Sequence, residues 1–461
     1  MPDEARQGGG AGADSRHAAA GVIIQWLLTN PSWVHRRVET AELTDLGNVR
    51  RHVSVDFTVP ERVPPTGRGV KTAGQLPALP LSLLDKRVLR NLDVRDEDGR
   101  AVPVLTTEED VPIAQAALLA HARGVLEGEP HEDVAAQLRA VAGADRDAAR
   151  AARRAIEHSL KEETSTFDPR VRKGKPPDPE KVARHDRQKL MSHDYFPGLM
   201  RSLARDFILL VDLDALEPGE RRIVKYSYEH RIHHVDPHPL RWLAVRLGWF
   251  PFKLTLVTPS ATKTQSYHCE LLPPPGLEFT RARLDPGPGQ SSDSAYEDDG
   301  GAGRAHVFAS GLGWSASPSA VFFMRTLRVG FLRSALMTAL LTTGLLFAGR
   351  ERLTEVSSEV EASATVLLVV PGLLAAYLSR SGEHALASSM LVGVRLMLLV
   401  AGLCALACGA LLVAHVQPED LKYWWTALSI LSAVALAVVS FANFLPLMRY
   451  KSRDLRDDDP S

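Results

Sequence analysis

The sequence predicts an α+β protein in two parts. An N-terminal, antiparallel β-rich, sandwich-like domain carries an inserted helical hairpin, and a four-helix transmembrane bundle follows it. Three observations lead there. Before about residue 325 the chain is charged and punctuated by Pro and Gly, whereas apolar runs dominate from there to Leu447. Short alternating segments bounded by Pro/Gly turns recur between Arg51 and Leu284. Among them lies an Ala-rich stretch with helical periodicity.

Composition narrows the partners. A formal net charge of -1 gives no global pull toward nucleic acid, so none is expected. Three cysteines, Cys269, Cys404 and Cys408, form no pairing framework, which argues against a disulfide-stapled extracellular domain. Met1–Gly21 has early Asp3 and Glu4, then Gly and Ala, and no basic segment; residues 1–21 read as a disordered tail. The first apolar run, Val22–Leu28, is interrupted by Gln25 and leads into no cleavage site.

Residues 22–284 read as the soluble domain. Val53, Val55, Phe57 and Val59 alternate with Ser54, Asp56 and Thr58, a half-buried strand. Leu89–Val94 and Ala101–Leu105 flank an Asp98-Gly99 turn, with Pro103 assigning the second strand to a sheet edge. A helix follows to about Leu126. Thr107 is a candidate cap, but Pro112 fits best in a first turn, so the start is expected nearer Val111. In His131–Glu163, Val134, Leu138, Val141, Ala148 and Ile156 fall near one face. Asp145 interrupts that face two positions after Gly143, which predicts a break with Asp145 capping the second piece. Arg170–Pro177 is basic and reads as a solvated loop, with contact to an anionic inner leaflet as the alternative.

Beyond a short helix near Pro197–Arg205, strands are expected at Phe207–Leu213, Arg222–Tyr228, Phe252–Val257, Ser266–Leu272 and Leu277–Leu284. Glu217–Glu220 reads as a tight turn between the first two. Residues 285–304 read as a flexible loop, and residues 305–328 as a return segment: Ala305–Ala309 a last strand, Val321–Arg328 the lead into the membrane.

Four stretches within residues 329–448 approach the roughly 20 apolar residues that a span needs. They are Val329–Gly349, Ser363–Leu378 with Pro371-Gly372 inside it, a span within Ala385–Val416, and Tyr423–Leu447. Arg325, Arg328 and Arg333 lie at the start of the first, Arg380 and Arg395 flank the connection between the second and third, and Arg449, Lys451, Arg453 and Arg456 follow the last. This distribution predicts a plasma-membrane protein with both termini, including the tail 449–461, cytoplasmic. Tyr423, Trp424 and Trp425 are expected as headgroup anchors at the outer mouth of the fourth span. Arg395 is expected to snorkel to inner headgroups, with a gating role as the alternative. Stripes of small residues (Ala335, Ala339, Thr343; Ala401, Ala405, Gly409; Ser429, Ala433, Ala437) predict close helix packing, in one bundle or between subunits. Asn443 is placed to bond across helices.

The densest polar cluster is His230, His233, His234, Asp236 and His238, where imidazoles and a carboxylate are candidate metal ligands. Its spacing matches no zinc motif, Arg231 sits among the candidates, and a solvated strand end or a pH-sensitive loop are the other readings. In Ser266-Tyr267-His268-Cys269-Glu270, alternation sends Tyr267 and Cys269 to one face as core and Ser266, His268 and Glu270 to the other as solvent face. No Gly-rich phosphate loop, nucleophile elbow or Walker-type sequence is present, and no cofactor is expected.

Leu216–Tyr228 (Leu-Glu-Pro-Gly-Glu-Arg-Arg-Ile-Val-Lys-Tyr-Ser-Tyr) and Ser266–Leu277 (Ser-Tyr-His-Cys-Glu-Leu-Leu-Pro-Pro-Pro-Gly-Leu) are similar to segments of uncharacterised actinobacterial multi-pass membrane proteins with a cytoplasmic N-terminal domain. The resemblance covers about a third of the chain and implies no activity. The expectation is a multi-pass membrane protein whose cytoplasmic domain binds a protein partner or small ligand, as scaffold, sensor or signalling component. The alternatives are an oligomeric pore or membrane effector gated by that domain, and a membrane-tethered metal-dependent enzyme centred on His230–His238.

Overall fold

The computed structural model describes residues 10–45, 47–60, 78–86, 90–158, 178–212, 219–231, 239–286, 303–312, 318–352, 369, 371–378, 384–414 and 416–444. It is a mixed α+β structure, β-rich in its N-terminal region, with three long apolar helices toward the C-terminus.

The central element is a six-stranded sheet ordered β10-β8-β1-β2-β6-β4. Its strands are β1 (Val34–Asp45), β2 (Asn48–Thr58), β4 (Arg90–Arg95), β6 (Arg221–Arg231), β8 (Ser266–Leu272) and β10 (Ala305–Ser310). Strict alternation fixes their faces: Val49, Arg51, Val53, Val55 and Phe57 of β2 point inward, as do Tyr267, Cys269 and Leu271 of β8. The sheet is not wholly antiparallel, as the sequence had suggested. β1 pairs with β8 in parallel, Arg36 opposite Ser266 through Glu42 opposite Leu272. More than two hundred residues separate these strands, so no hairpin constrains their direction.

Two smaller sheets cover the inner face. One pairs β3 (Leu79–Asp85) with β5 (Asp206–Val211); the other is ordered β7-β11-β9, from Phe252–Val257, Ser319–Thr326 and Leu277–Asp285. β5 and β6 lie in different sheets, so the expected turn between them closes no hairpin; Glu217 and Pro218 of that turn lie outside the described residues. The return segment before the membrane is also sheet: β11 is the central strand of its layer.

Between β4 and β5 the chain inserts α2 (Thr107–Leu126), α3 (Glu132–Val141), α4 (Arg146–His158), α5 (Pro179–Met191) and α6 (Phe196–Arg205). The expected break is present, because the Asp145 carboxylate accepts the backbone N–H groups of Asp147 (2.8 Å) and Ala148 (3.0 Å) at the start of α4. α2 begins earlier than Pro112 implied. The Glu109 carboxylate accepts from both the N–H and the hydroxyl of Thr106, a cap strong enough to leave Pro112 in the helix interior. α5 follows an Asp178 cap and Pro179, a start signal that the strand-centred reading passed over.

α1 (Gly10–Thr29) reaches into the stretch read as a tail. It packs so closely on α2 that a Cβ at Gly21 would lie 2.4 Å from Ala116 Cβ. Ile23, Ile24, Leu27 and Leu28 bury there in one core with Leu79, Leu118, Leu138 and Phe196.

A second core joins the six- and three-stranded sheets through Ala41, Leu271, Val307, Leu256, Phe279 and Phe322. β11 ends at Thr326, and a π-helical turn (Arg328–Leu332) leads directly into α8 (Arg333–Arg352). Residues 371–378 form α9. α10 (Ala385–Met390), α11 (Val392–Val413) and α12 (Pro418–Phe444) complete the apolar region. Gly330–Arg350, Val392–Val413 and Pro418–Phe444 are long and apolar enough to cross a membrane, which marks the chain as a membrane protein by length and composition. Residues 363–368 and 370 of the expected span Ser363–Leu378, and the whole tail 449–461, lie outside the described residues.

The helices associate through small residues and hydroxyls. Ala335, Ala339, Ala401 and Ala405 are buried, and the Thr343 and Ser432 hydroxyls meet at 2.8 Å across α8 and α12. The buried file of α12 is Ser429, Ser432, Ala435 and Val439, not the Ala433–Ala437 stripe. Asn443 does bond across helices, to the Leu332 carbonyl at 3.2 Å. Trp425 is not a headgroup anchor. It is buried and its indole N–H donates to the Leu346 carbonyl at 2.7 Å, while Tyr423 and Trp424 are exposed.

Candidate functional site

Beneath the six-stranded sheet runs a buried polar band where the two smaller sheets meet. Arg37 and Glu39 alternate inward on β1, and Arg51 does so on β2. In register Arg51 sits opposite Ala41, diagonal to Glu39, so guanidinium and carboxylate meet at 2.6 Å. The Tyr267 hydroxyl donates to the second Glu39 oxygen at 2.8 Å, and Arg51 also donates to the Val257 carbonyl of β7 at 3.0 Å. Arg37 reaches the other cover: it donates to Tyr226 Oη at 2.7 Å and to the Leu81 carbonyl of β3. Ser82 of β3 and Ser260, in the short 3-10 turn Pro259–Lys263, lie 2.9 Å apart beside it.

This band is an internal clamp, closed to ligands. Burial pushes the Tyr267 hydroxyl and the Cys269 thiol well up, so both stay protonated and the thiol is inert. A second interior group lies at the rim of β3 and β5. Burial drives Lys86 down to about 8 and Lys263 down to about 7, and raises Asp110 to about 7. Lys86 donates to the Gly143 and Leu203 carbonyls, at 2.5 and 2.7 Å.

The outward face of the same strands holds the candidate binding site, a depression of about 260 Å³. Register explains it. Thr40, His52, Ser227 and Asp93 form one cross-strand row, and Val38, Ser54, Lys225 and Arg95 form the next. With strands about 4.8 Å apart and same-face residues about 7 Å apart along a strand, these eight side chains span roughly 14 by 7 Å. β4, whose Asp93 and Arg95 line one side, is irregular between Arg90 and Asp93, where Asn91 adopts φ 53°. Arg95 donates to Asp93 at 2.7 Å within the rim. The polar groups that line it are Lys225, His52, Thr40, Ser54, Ser227 and the Arg95–Asp93 pair. Sequence alternation marks His52, Ser54 and Lys225 as outward-facing, but only strand order brings them together.

His233, His234, Asp236 and His238 lie outside the described residues. His230 sits on β6 opposite Val49, with Nε2 3.4 Å from an Arg51 nitrogen. Among the described residues, no three His, Cys, Asp or Glu side chains gather to hold a metal.

In β8 the alternation is as expected: Tyr267 and Cys269 are core, and Ser266, His268 and Glu270 face outward. His268 Nδ1 lies 3.1 Å from His306 Nε2 and its ring packs on Phe308, while Arg304 pairs with Glu270 at 2.9 Å. Burial, with Arg36 and His306 nearby, holds His268 below the usual histidine range.

Arg395 does not snorkel outward. It is buried near the start of α11, donates to Ser388 Oγ of α10 at 2.6 Å, and lies over the Phe331 ring. The reason is α10 itself: the first residues of the expected third span belong to the soluble core, where Leu386, Ala387 and Met390 pack with Leu277, Phe279 and Phe322.

No protein-family model matches the chain, and a comparison with curated proteins gives no match.

Proposed function

We propose that this is a plasma-membrane protein whose soluble domain, on the cytoplasmic side, binds a polar ligand or protein partner and acts as a sensing or scaffold component. The observation that carries this reading is α10. A segment continuous with a membrane helix contributes Leu386, Ala387 and Met390 to the core of the two facing sheets. The strands that carry the outward depression also carry Glu39 and Arg51, whose bond to Val257 reaches β7 and, through the ladder, β11 and α8. Occupancy of the depression thus has a packed path to the bundle.

The bundle itself is read as four spans beneath a sandwich-like pair of sheets. α8 leaves the domain, since Leu332 meets Asn443 on the near side while Leu346 meets Trp425 on the far side. α10 and α11 start again at the domain, and α9 is read as part of a returning span. The contacts of α9 support that crossing: a Cβ at Gly372 would lie 2.9 Å from Leu406 Cγ, and Ala375 packs on Gly402. An even number of spans, together with the positive flanks, supports the reading that both termini are cytoplasmic.

Native mass spectrometry of the full-length chain in nanodiscs tests the reading. A monomer or dimer is expected, with any co-purifying polar ligand lost in H52A/K225E. A stable ring of four or more subunits contradicts it and favours the oligomeric pore.

A further inference from the structure

Residues 239–250 hold a feature that neither the sheet site nor the spans use. α7 (Pro239–Arg246) and the turn after it expose Leu240, Trp242, Leu243 and Phe250, at 81%, 46%, 46% and 51% of their surface. The opposite side of the segment is fixed. Val245 is buried in the core of the two sheets. A Cβ at Gly393 would lie 2.7 Å from the Arg246 carbonyl oxygen, so α7 rests on the first turn of α11. The Trp249 indole N–H donates to the Val438 carbonyl of α12 at 3.3 Å, and its ring meets Phe441 edge-on at 5.2 Å. Gly248, at φ 73°, turns the chain beside α12, where a Cβ on it would lie 3.6 Å from Ala442 Cβ.

These contacts set a level. Val438 lies six residues before the end of α12, about 9 Å along a helix, and Gly393 is the second residue of α11. The exposed side chains of α7 therefore continue the apolar belt of Val392, Leu396, Phe441 and Phe444, which are themselves exposed on the bundle. Bare in water, such a cluster carries an unfavourable apolar surface; at a bilayer boundary it is buried. Trp242 carries the Arg246 guanidinium 3.9 Å above its ring, and Arg241 lies in the same turn. An aromatic body with a cationic tip suits the headgroup layer.

We propose that residues 239–250 are an interfacial anchor, lying in the headgroup–acyl boundary of the bilayer that the apolar helices cross. The anchor fixes the standoff and tilt of the soluble domain, and its Arg241 and Arg246 favour anionic lipid. It rests on the membrane assignment alone and holds whichever ligand the sheet takes.

The test uses the full-length chain in nanodiscs of phosphatidylcholine, with and without phosphatidylglycerol. A nitroxide at L243C, with the unsubstituted protein as labelling control, reports relative accessibility to oxygen and to a water-soluble nickel chelate. A site about 5–10 Å into the boundary is expected to favour oxygen several-fold over a label at R100C in the exposed β4 turn, more so with phosphatidylglycerol. Equal ratios at the two sites would overturn the anchor and leave the patch to a protein partner. In unlabelled protein, quenching of tryptophan fluorescence by doxyl lipid is expected to fall in W242F; unchanged quenching also overturns the proposal.

Discussion

The Arg51 guanidinium and the Glu39 carboxylate meet at 2.6 Å with neither side chain more than 6% exposed, and both belong to the sheet that carries the candidate site. Removing one partner strands the other charge in the core. E39Q or R51M alone is expected to cost about 3–5 kcal/mol of stability, whereas E39L/R51M recovers most of that loss. Equilibrium unfolding of the full-length protein in detergent checks this. Single substitutions as mild as the double one would remove the clamp from the account.

His121 makes acid stability testable. It lies in the core between α1 and α2, stacked on Phe196, and Gln25 Nε2 lies 2.9 Å from Nδ1. Burial holds its pKa down at about 4, against 6.5 for a free imidazole. The unfolded chain therefore binds the extra proton between those values, and stability falls as pH drops through that window. The contribution is about 2–3 kcal/mol at full protonation of the unfolded state. H121F removes it, so the melting temperature of wild type minus that of the variant should fall steadily from pH 7 to pH 4.5. A constant difference would show that His121 does not titrate there.

Gly21 tests the reach of α1. Any Cβ there collides with the Ala116 side chain and with the backbone of Ala116 and Ala117. G21V is expected to cost about 1–3 kcal/mol and to speed amide exchange across α1 and the first half of α2. Exchange unchanged in α1 would place that helix off the domain.

Within the bundle, Trp425 ties α12 to α8. W425F keeps most of the ring and loses the hydrogen bond to Leu346, with an expected cost of about 0.6–2 kcal/mol in a detergent-titration unfolding assay. No loss would return Trp425 to the headgroup layer.

The parts of the fold legible in the sequence are those where one local rule dominates. Asp145 announces a cap, and the alternation around Tyr267 and Cys269 fixes β8 to the residue. β1 was not legible because Arg37 and Glu39 occupy inward positions, so the hydrophobic period that marks a strand is broken where the clamp is built. α10 was hidden for the opposite reason: Leu386, Ala387 and Met390 look like the start of a span, and only the break at Leu391 assigns them to the soluble core. The depression escaped because Thr40, His52, Lys225 and Asp93 become neighbours only through strand order. The exposed Leu240 and Trp242 of α7 need the position of α12 before their surface has a meaning.

The shared core at α10 is the most direct point of attack. M390A leaves a cavity among Leu386, Leu277 and Phe322, worth about 2–4 kcal/mol locally. Hydrogen exchange of the full-length chain in nanodiscs then compares α10 and α11 with β9 and β11. If the domain and the bundle are one packed body, exchange rises in β9 and β11 as well as in α10. A rise confined to α10 and α11, with both strands unchanged, would contradict the coupling on which the proposed sensing role depends.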